Sequence, residues 1–105
     1  MIITTTMHIE NKPVQEYKGI VFGEVVEDRN FVKDFMSGIR DIVGGRSGSY
    51  EDSLMNARKA ALDEMSQRAS KLGANAIIGV SFQYSTVGAQ NGMLMITCNG
   101  TAVVV

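Results

Sequence analysis

IRDIVGGRSGSYEDSLMNARKAALDEMSQRASKLGANAII, residues 39–78, holds a helix end, a glycine-rich turn, a long helix, a helix stop and a strand start. Leu54, Ala57, Ala61, Met65, Ala69 and Leu72 recur at steps of three or four, which draws one apolar stripe down a helix. Arg58, Lys59, Asp63, Glu64, Gln67 and Arg68 fall on the opposite, solvated face. Three alanines in the stripe predict close approach to whatever the helix packs on. Ser49 reads as the N-cap, with Glu51 and Asp52 favouring the positive end of the helix dipole. Gly73 reads as the left-handed residue that ends the helix, with Lys71 near the negative end.

Before this helix stands Gly44-Gly45-Arg46-Ser47-Gly48-Ser49. Glycines at a helix N-terminus can form an anion-binding nest, to which Arg46 would add charge, so Gly45, Arg46, Ser47 and Ser49 are candidates for an anion site. The Gly-Lys-Ser/Thr ending of a phosphate loop is missing, and no strand precedes the turn as a dinucleotide fold requires. A tight connection between helices, or a packing loop at a subunit interface, is the commoner use of such a turn.

Outward from this stretch, residues 31–43 predict a shorter helix, capped by Asn30 and stopped by Gly44, with Phe35, Ile39, Ile42 and Val43 at helical spacing. Residues 2–7 are rich in Ile and Thr and read as a strand; Asn11-Lys12-Pro13 breaks it. Residues 17–26 read as a longer strand, with Ile20, Phe22, Glu24 and Val26 on one face and Tyr17, Gly19, Val21, Gly23 and Val25 on the other. Both faces are mostly apolar, so both call for cover: one by the helix, the second by another subunit. Residues 76–84 predict a strand with Ile78, Val80, Phe82 and Tyr84 on one side and Ile77, Gly79, Ser81 and Gln83 on the other. Residues 88–92 carry an Asn-Gly hairpin signal. Residues 93–98 form a strand, Asn99-Gly100 a turn, and residues 101–105 a last strand. The reading is an α+β fold in the order strand, strand, helix, helix, strand, strand, strand.

The chain has 105 residues, enough for one domain and one core. Its net charge is -1 and it has no basic block, which argues against a nucleic-acid partner. Its apolar runs are too short to span a membrane, and the first residues lack the pattern of a signal peptide. One cysteine cannot make an internal disulfide and suits a reducing compartment; a cytoplasmic location is expected.

Several stretches together resemble the YbjQ-like family of small bacterial and archaeal proteins. They are the run from Ile39 to Glu51, Leu72-Gly73-Ala74-Asn75-Ala76-Ile77-Ile78-Gly79-Val80, Gly92-Met93-Leu94-Met95 and Gly100-Thr101-Ala102-Val103-Val104. Asp28-Arg29-Asn30 departs from the Gly-Ala-Asn-like turn that members often carry. The resemblance implies a dodecin-like subunit, with an antiparallel sheet packed on one long and one short helix, assembling as a homopentameric ring. It also implies a heavy-metal-binding label, and hence a divalent metal ion as the cofactor to look for.

The residues themselves offer little to such a metal. A site of the usual kind takes three or four ligands, and the chain has one His and one Cys. His8 reads as an exposed strand-end residue, and Cys98 as a small buried hydrophobe. Met93 and Met95 would offer soft thioethers, although strand methionines are more often core filler. A ring would present Glu24 once per subunit, as converging carboxylates suited to a hard cation. Pairing with Arg29, Arg40 or Arg46, or exposure near a strand end, is the plainer reading of Glu24. The weak metal candidates are therefore Glu24, Cys98 and His8. No catalytic residue is assigned: Asp34 and Asp41 share a helix face as solvated groups, and His8 could meet Cys98 only if first and last strands pair. The leading functional expectation is an oligomer binding a metal ion or small ligand at subunit boundaries. A scaffold whose ring surface binds a partner, and an enzyme with a shared site around Arg46, Ser47 and Ser49, are the alternatives.

Overall fold

The computed structural model describes residues 1–28, 48–88 and 93–105. Four strands, β1 (Ile2–Ile3), β2 (Glu16–Asp28), β3 (Ala76–Val87) and β4 (Met93–Val104), form one sheet in the order β1-β3-β4-β2. One helix, α1 (Gly48–Lys71), lies across β2 and β4. The short helix expected over residues 31–43, with its Asn30 cap, lies outside the described residues, as does the Asn-Gly turn of residues 89–92. The strands flanking that turn do pair as a hairpin, Val87 opposite Met93.

Helix α1 follows its stripe. Ala57, Ala61, Met65 and Ala69 are buried, and the last turn carries Arg68 and Lys71. The stop is a complete Schellman arrangement: the Ala74 N–H donates to Ala69 O (3.1 Å), the Gly73 N–H to Ser70 O (3.0 Å), and Gly73 has φ 85°. Two expectations need correction. Leu72 is 46% exposed, because it sits in the capping turn beyond the last helical residue, off the stripe. Ser49 lies inside the first turn rather than at the cap, since the helix already begins at Gly48. Contact with the sheet is as close as the alanines predicted. A Cβ on Gly23 of β2 would stand 1.9 Å from the Ala61 carbonyl oxygen, so only glycine lets the two backbones meet.

The sheet is mixed rather than antiparallel. β2 and β3 both run antiparallel to β4, but β1 pairs parallel to β3, Ile2 opposite Ala76 and Ile3 opposite Ile77. The expected strand over residues 2–7 shortens to two residues because the threonines bond locally. Thr4 Oγ1 accepts from the Thr6 N–H, and the Thr6 hydroxyl donates to the His8 carbonyl (2.7 Å), which turns the chain. The turned segment in turn caps part of β3, where the Val80 N–H donates to Thr4 O and the Gly79 N–H to Thr6 O.

Those two amides are free because β3 bulges there. Between Ile78 and Ser81 it has two residues where β4 has one, with Gly79 at φ 62°. The bulge reverses the side-chain alternation, so Ile77 rather than Ile78 joins Val80 and Phe82 beneath the helix. It also explains Gly100. The Asn99-Gly100 turn does not exist: β4 runs unbroken, with Gly100 opposite Val21 and Asn99 between Phe22 and Ser81. A Cβ on Gly100 would lie 2.6 Å from Ile77 Cγ2 and 3.0 Å from Val80 Cγ2, so this glycine makes room for the bulge. A second bulge, at Lys18 between Tyr17 and Gly19 (φ 123°), moves Tyr17 to the face of Ile20 and Phe22.

Two apolar clusters result. Val21, Ala61, Met65, Ala69, Ala74, Ile77, Val80, Cys98 and Ala102 fill the space under the helix. On the far side Ile9 and Val14, from the segment between β1 and β2, cover Ala76, Ile78 and Val103 together with Val105. The Asn75 side chain holds Val105 in place, accepting from its N–H (2.8 Å) and donating to its oxygen (3.0 Å).

Candidate functional site: the open face of the sheet

Among the described residues, the face of the sheet away from α1 is covered only at one end. Over β2 it stays open among the described residues. Tyr17 (70% exposed), Ile20 (69%), Phe22 (49%) and Val26 (50%) form a column, with Glu24 exposed between the last two. The register places Glu24 opposite Thr97, Phe22 opposite Asn99 and Ile20 opposite Thr101 on β4. On β3 the same rows continue into Gln83 and Ser81, and Ser81 bonds Asn99 Oδ1 at 3.1 Å. An apolar column on the edge strand thus borders a hydroxyl and amide band, with one carboxylate at the seam.

The three metal candidates are not brought together. Glu24 stands on this open face and forms no ion pair among the described residues. Arg29, Arg40 and Arg46, its expected partners, lie outside them. Cys98, opposite Gly23, points the other way and is wholly buried beneath α1. Burial pushes its thiol above the ordinary value; the Gly23 backbone pulls it down, and Glu64 adds a further upward push. His8 is exposed on the covering segment, where its carbonyl takes the Thr6 hydroxyl. The first strand pairs with β3 and not with β4, so the route by which His8 could have met Cys98 is closed. Among the described residues no three His, Cys, Asp or Glu side chains gather as a metal would need.

Met93 and Met95 share the open face at the far end of β4, opposite Asp28 and Val26. In the glycine-rich turn, Gly45, Arg46 and Ser47 lie outside the described residues; Ser49 belongs to the first turn of α1. Asp34 and Asp41 also lie outside.

One contact had no sequence signal. Arg68 Nη1 donates to the carbonyl of Phe22 at 2.7 Å, while Nη2 pairs with Glu64 one turn earlier. A residue assigned to the solvated face thereby reaches over the edge of β2. Only the helix placement, set by Gly23 and Ala61, makes that reach possible.

Among the described residues, a helix laid on one face of a four-stranded mixed sheet defines a small α+β fold. The chain belongs to the YbjQ family: the family model described as "Putative heavy-metal-binding" matches residues 1–105. It is 57% identical to a UPF0145 protein of Listeria ivanovii over 105 residues, covering all of this chain and 96% of the relative. To a UPF0145 protein of Clostridium botulinum it is 55% identical over 103 residues, with 98% and 97% covered. The fold matches a crystal structure from Pediococcus pentosaceus, described as a protein of unknown function of the DUF74 family. That match has a TM-score of 0.65 at 16% identity and covers 100% of this chain and 97% of the other. No helix among the described residues is long and apolar enough to cross a membrane.

Proposed function

We propose that this chain is a cytoplasmic, self-assembling subunit without catalysis of its own. Its copies close into a homopentameric ring that holds a metal ion or small ligand at the subunit boundaries. The observation that carries the reading is the face of β2 that stays open among the described residues. Four large apolar side chains there, half to seven-tenths exposed, amount to about 400–500 Å² of apolar surface, near the upper end of what a monomer leaves uncovered. About 800 Å² per partner makes a stable pair, so this column would supply the apolar centre of such a contact.

Glu24 gives the boundary its chemistry. A carboxylate among apolar neighbours becomes costly to bury as the contact forms, and a shared cation relieves that cost. Repeated around a ring, carboxylates and the neighbouring threonine hydroxyls form an oxygen-rich site, which favours a hard divalent cation. The family's heavy-metal description fits this donor set less well than it fits the thioethers of Met93 and Met95.

Native mass spectrometry of protein purified without a His-tag or chelator, with elemental analysis of the same sample, tests the reading. A pentamer with stoichiometric metal, lost in Glu24→Gln while the pentamer persists, is the expected result. Metal-free pentamers would overturn the ion and leave the assembly; a monomer would overturn both.

A further inference from the structure

After Ile3 the chain fastens to the bulge of β3 as a hook. The Thr4 N–H donates to Ile77 O (3.0 Å), while Thr4 O and Thr6 O accept from the Val80 and Gly79 amides (3.1 and 2.9 Å). Met7 closes the hook. Its Sδ lies against Gly79, 3.0 Å from where a Cβ would stand, with Cε at 3.6 Å. Glycine at this position thus serves both the bulge and the seat of the thioether. Met7 is nevertheless 63% exposed, more than any other methionine among the described residues. The segment that follows it carries Ile9 and Val14, the cover over Ala76, Ile78 and Val103. The described strands break off at the other end of the sheet, where Asp28 and Val87 both pair with Met93. From residue 79 to residue 87, a strand rising about 3.3 Å per residue covers roughly 26 Å.

We infer that Met7 is a redox-sensitive latch: oxidation of its thioether by a peroxide releases the hook from the β3 bulge and loosens the cover over the far-side cluster. The reaction is an oxygen transfer. The sulfur lone pair attacks one peroxide oxygen, the O–O bond breaks and an S–O bond forms. Sulfur gives up two electrons, and hydrogen peroxide is reduced to water. The product is polar and carries a new acceptor on the very atom that lies against Gly79. That oxygen competes with Thr6 O for the Gly79 N–H, and the close apolar contact of the thioether is lost. The hook has no spare hydroxyl to replace it. Thr4 Oγ1 and Thr6 Oγ1 are bonded to each other (2.8 Å), and the Thr6 hydroxyl also reaches His8 O. A thiol-dependent reductase returns the sulfoxide to the thioether, so the latch is reversible.

Other methionines differ from Met7 in burial, in sulfur contacts or in position. Met65 is wholly buried beneath α1. Met1 has its sulfur engaged, accepting from the Ser66 hydroxyl at 3.6 Å. Met55 (60% exposed) and Met93 (41%) are open to an oxidant, but they belong to α1 and to the far end of β4 rather than to the hook. The latch is independent of the assembly proposed above.

Treatment of the full chain with hydrogen peroxide tests it, read by peptide mass mapping, amide hydrogen exchange and binding of an apolar fluorescent dye. The expected result is sulfoxide at Met7 forming faster than at Met1, with Met65 unmodified. Exchange at residues 79 and 80 then rises by about tenfold or more, and dye binding rises with it. In Met7→Leu, which keeps an apolar side chain against Gly79, both readouts stay at their untreated level under peroxide. A sulfoxide reductase restores the oxidised wild type. Met7 left unoxidised while Met55 is converted would overturn the inference, because the sulfur would then be covered. Met7 oxidised with residues 79 and 80 still protected would overturn it as well. An equal rise in Met7→Leu would overturn it by assigning the effect to a different methionine.

Discussion

Gly23→Ala is the smallest change with the largest expected effect. The glycine does not have positive φ, so alanine adopts its backbone without strain and the whole penalty is contact. The new Cβ would stand 1.9 Å from the Ala61 oxygen and 2.8 Å from its carbonyl carbon, both backbone atoms in the middle of α1, and 3.1 Å from Cys98 Sγ. An ordinary carbon–oxygen contact of about 3.3 Å requires the helix to lift by roughly 1.4 Å. A gap of about 1 Å already forfeits up to half of a dispersion contact, and Met65 and Ala69 would lose theirs together. The expected loss is about 3 kcal/mol, at the upper end of overpacking effects. Urea unfolding at fixed protein concentration reads it: with a slope of about 2 kcal/mol/M, the midpoint falls by roughly 1.5 M with the slope unchanged. A shift of less than about 0.3 M would refute the close-contact argument, because the helix would then be free to move off β2 at negligible cost.

Gly100→Ala should lose about 1–3 kcal/mol, less than Gly23→Ala, because its nearest obstruction is the Ile77 side chain and not backbone; the same unfolding measurement checks it. Cys98 predicts a pH effect of definite sign. Its pKa is raised in the folded state, so its contribution is fully present below the ordinary value of 9.0 and is lost as pH rises through and beyond it. Stability measured from pH 8 to 10.5 should decline less steeply in Cys98→Ala than in wild type.

Legibility was uneven for a physical reason. The helix, its alanine stripe and its glycine stop are local: spacing and a left-handed residue act within a few positions, and Ala57, Ala61, Met65, Ala69 and Gly73 took their expected places. Leu72 failed only because the helix ends one residue before it. The strands were located and most of their faces read correctly, except beside the two bulges. A bulge inverts the alternation, and bulges depend on the neighbouring strand. Ile77 and Ile78 exchanged sides for that reason, as did Tyr17 at the Lys18 bulge. Gly100 looked like a turn because glycine after asparagine usually is one; its actual cause, the methyl groups of Ile77 and Val80, is about twenty residues away in sequence.

The candidate site divides along the same line. Residue type alone showed that Glu24 was out of place on an apolar face and that a lone His and a lone Cys make poor metal ligands. Sequence also determined the family, the α+β class and the long helix, because those follow from composition, motifs and short-range periodicity. Tertiary structure alone decided that Cys98 and Glu24 point to opposite sides of the sheet, and that β1 joins β3 in parallel. Hydrogen bonds between strands far apart in the chain set those features, and no local pattern encodes which strand lies beside which.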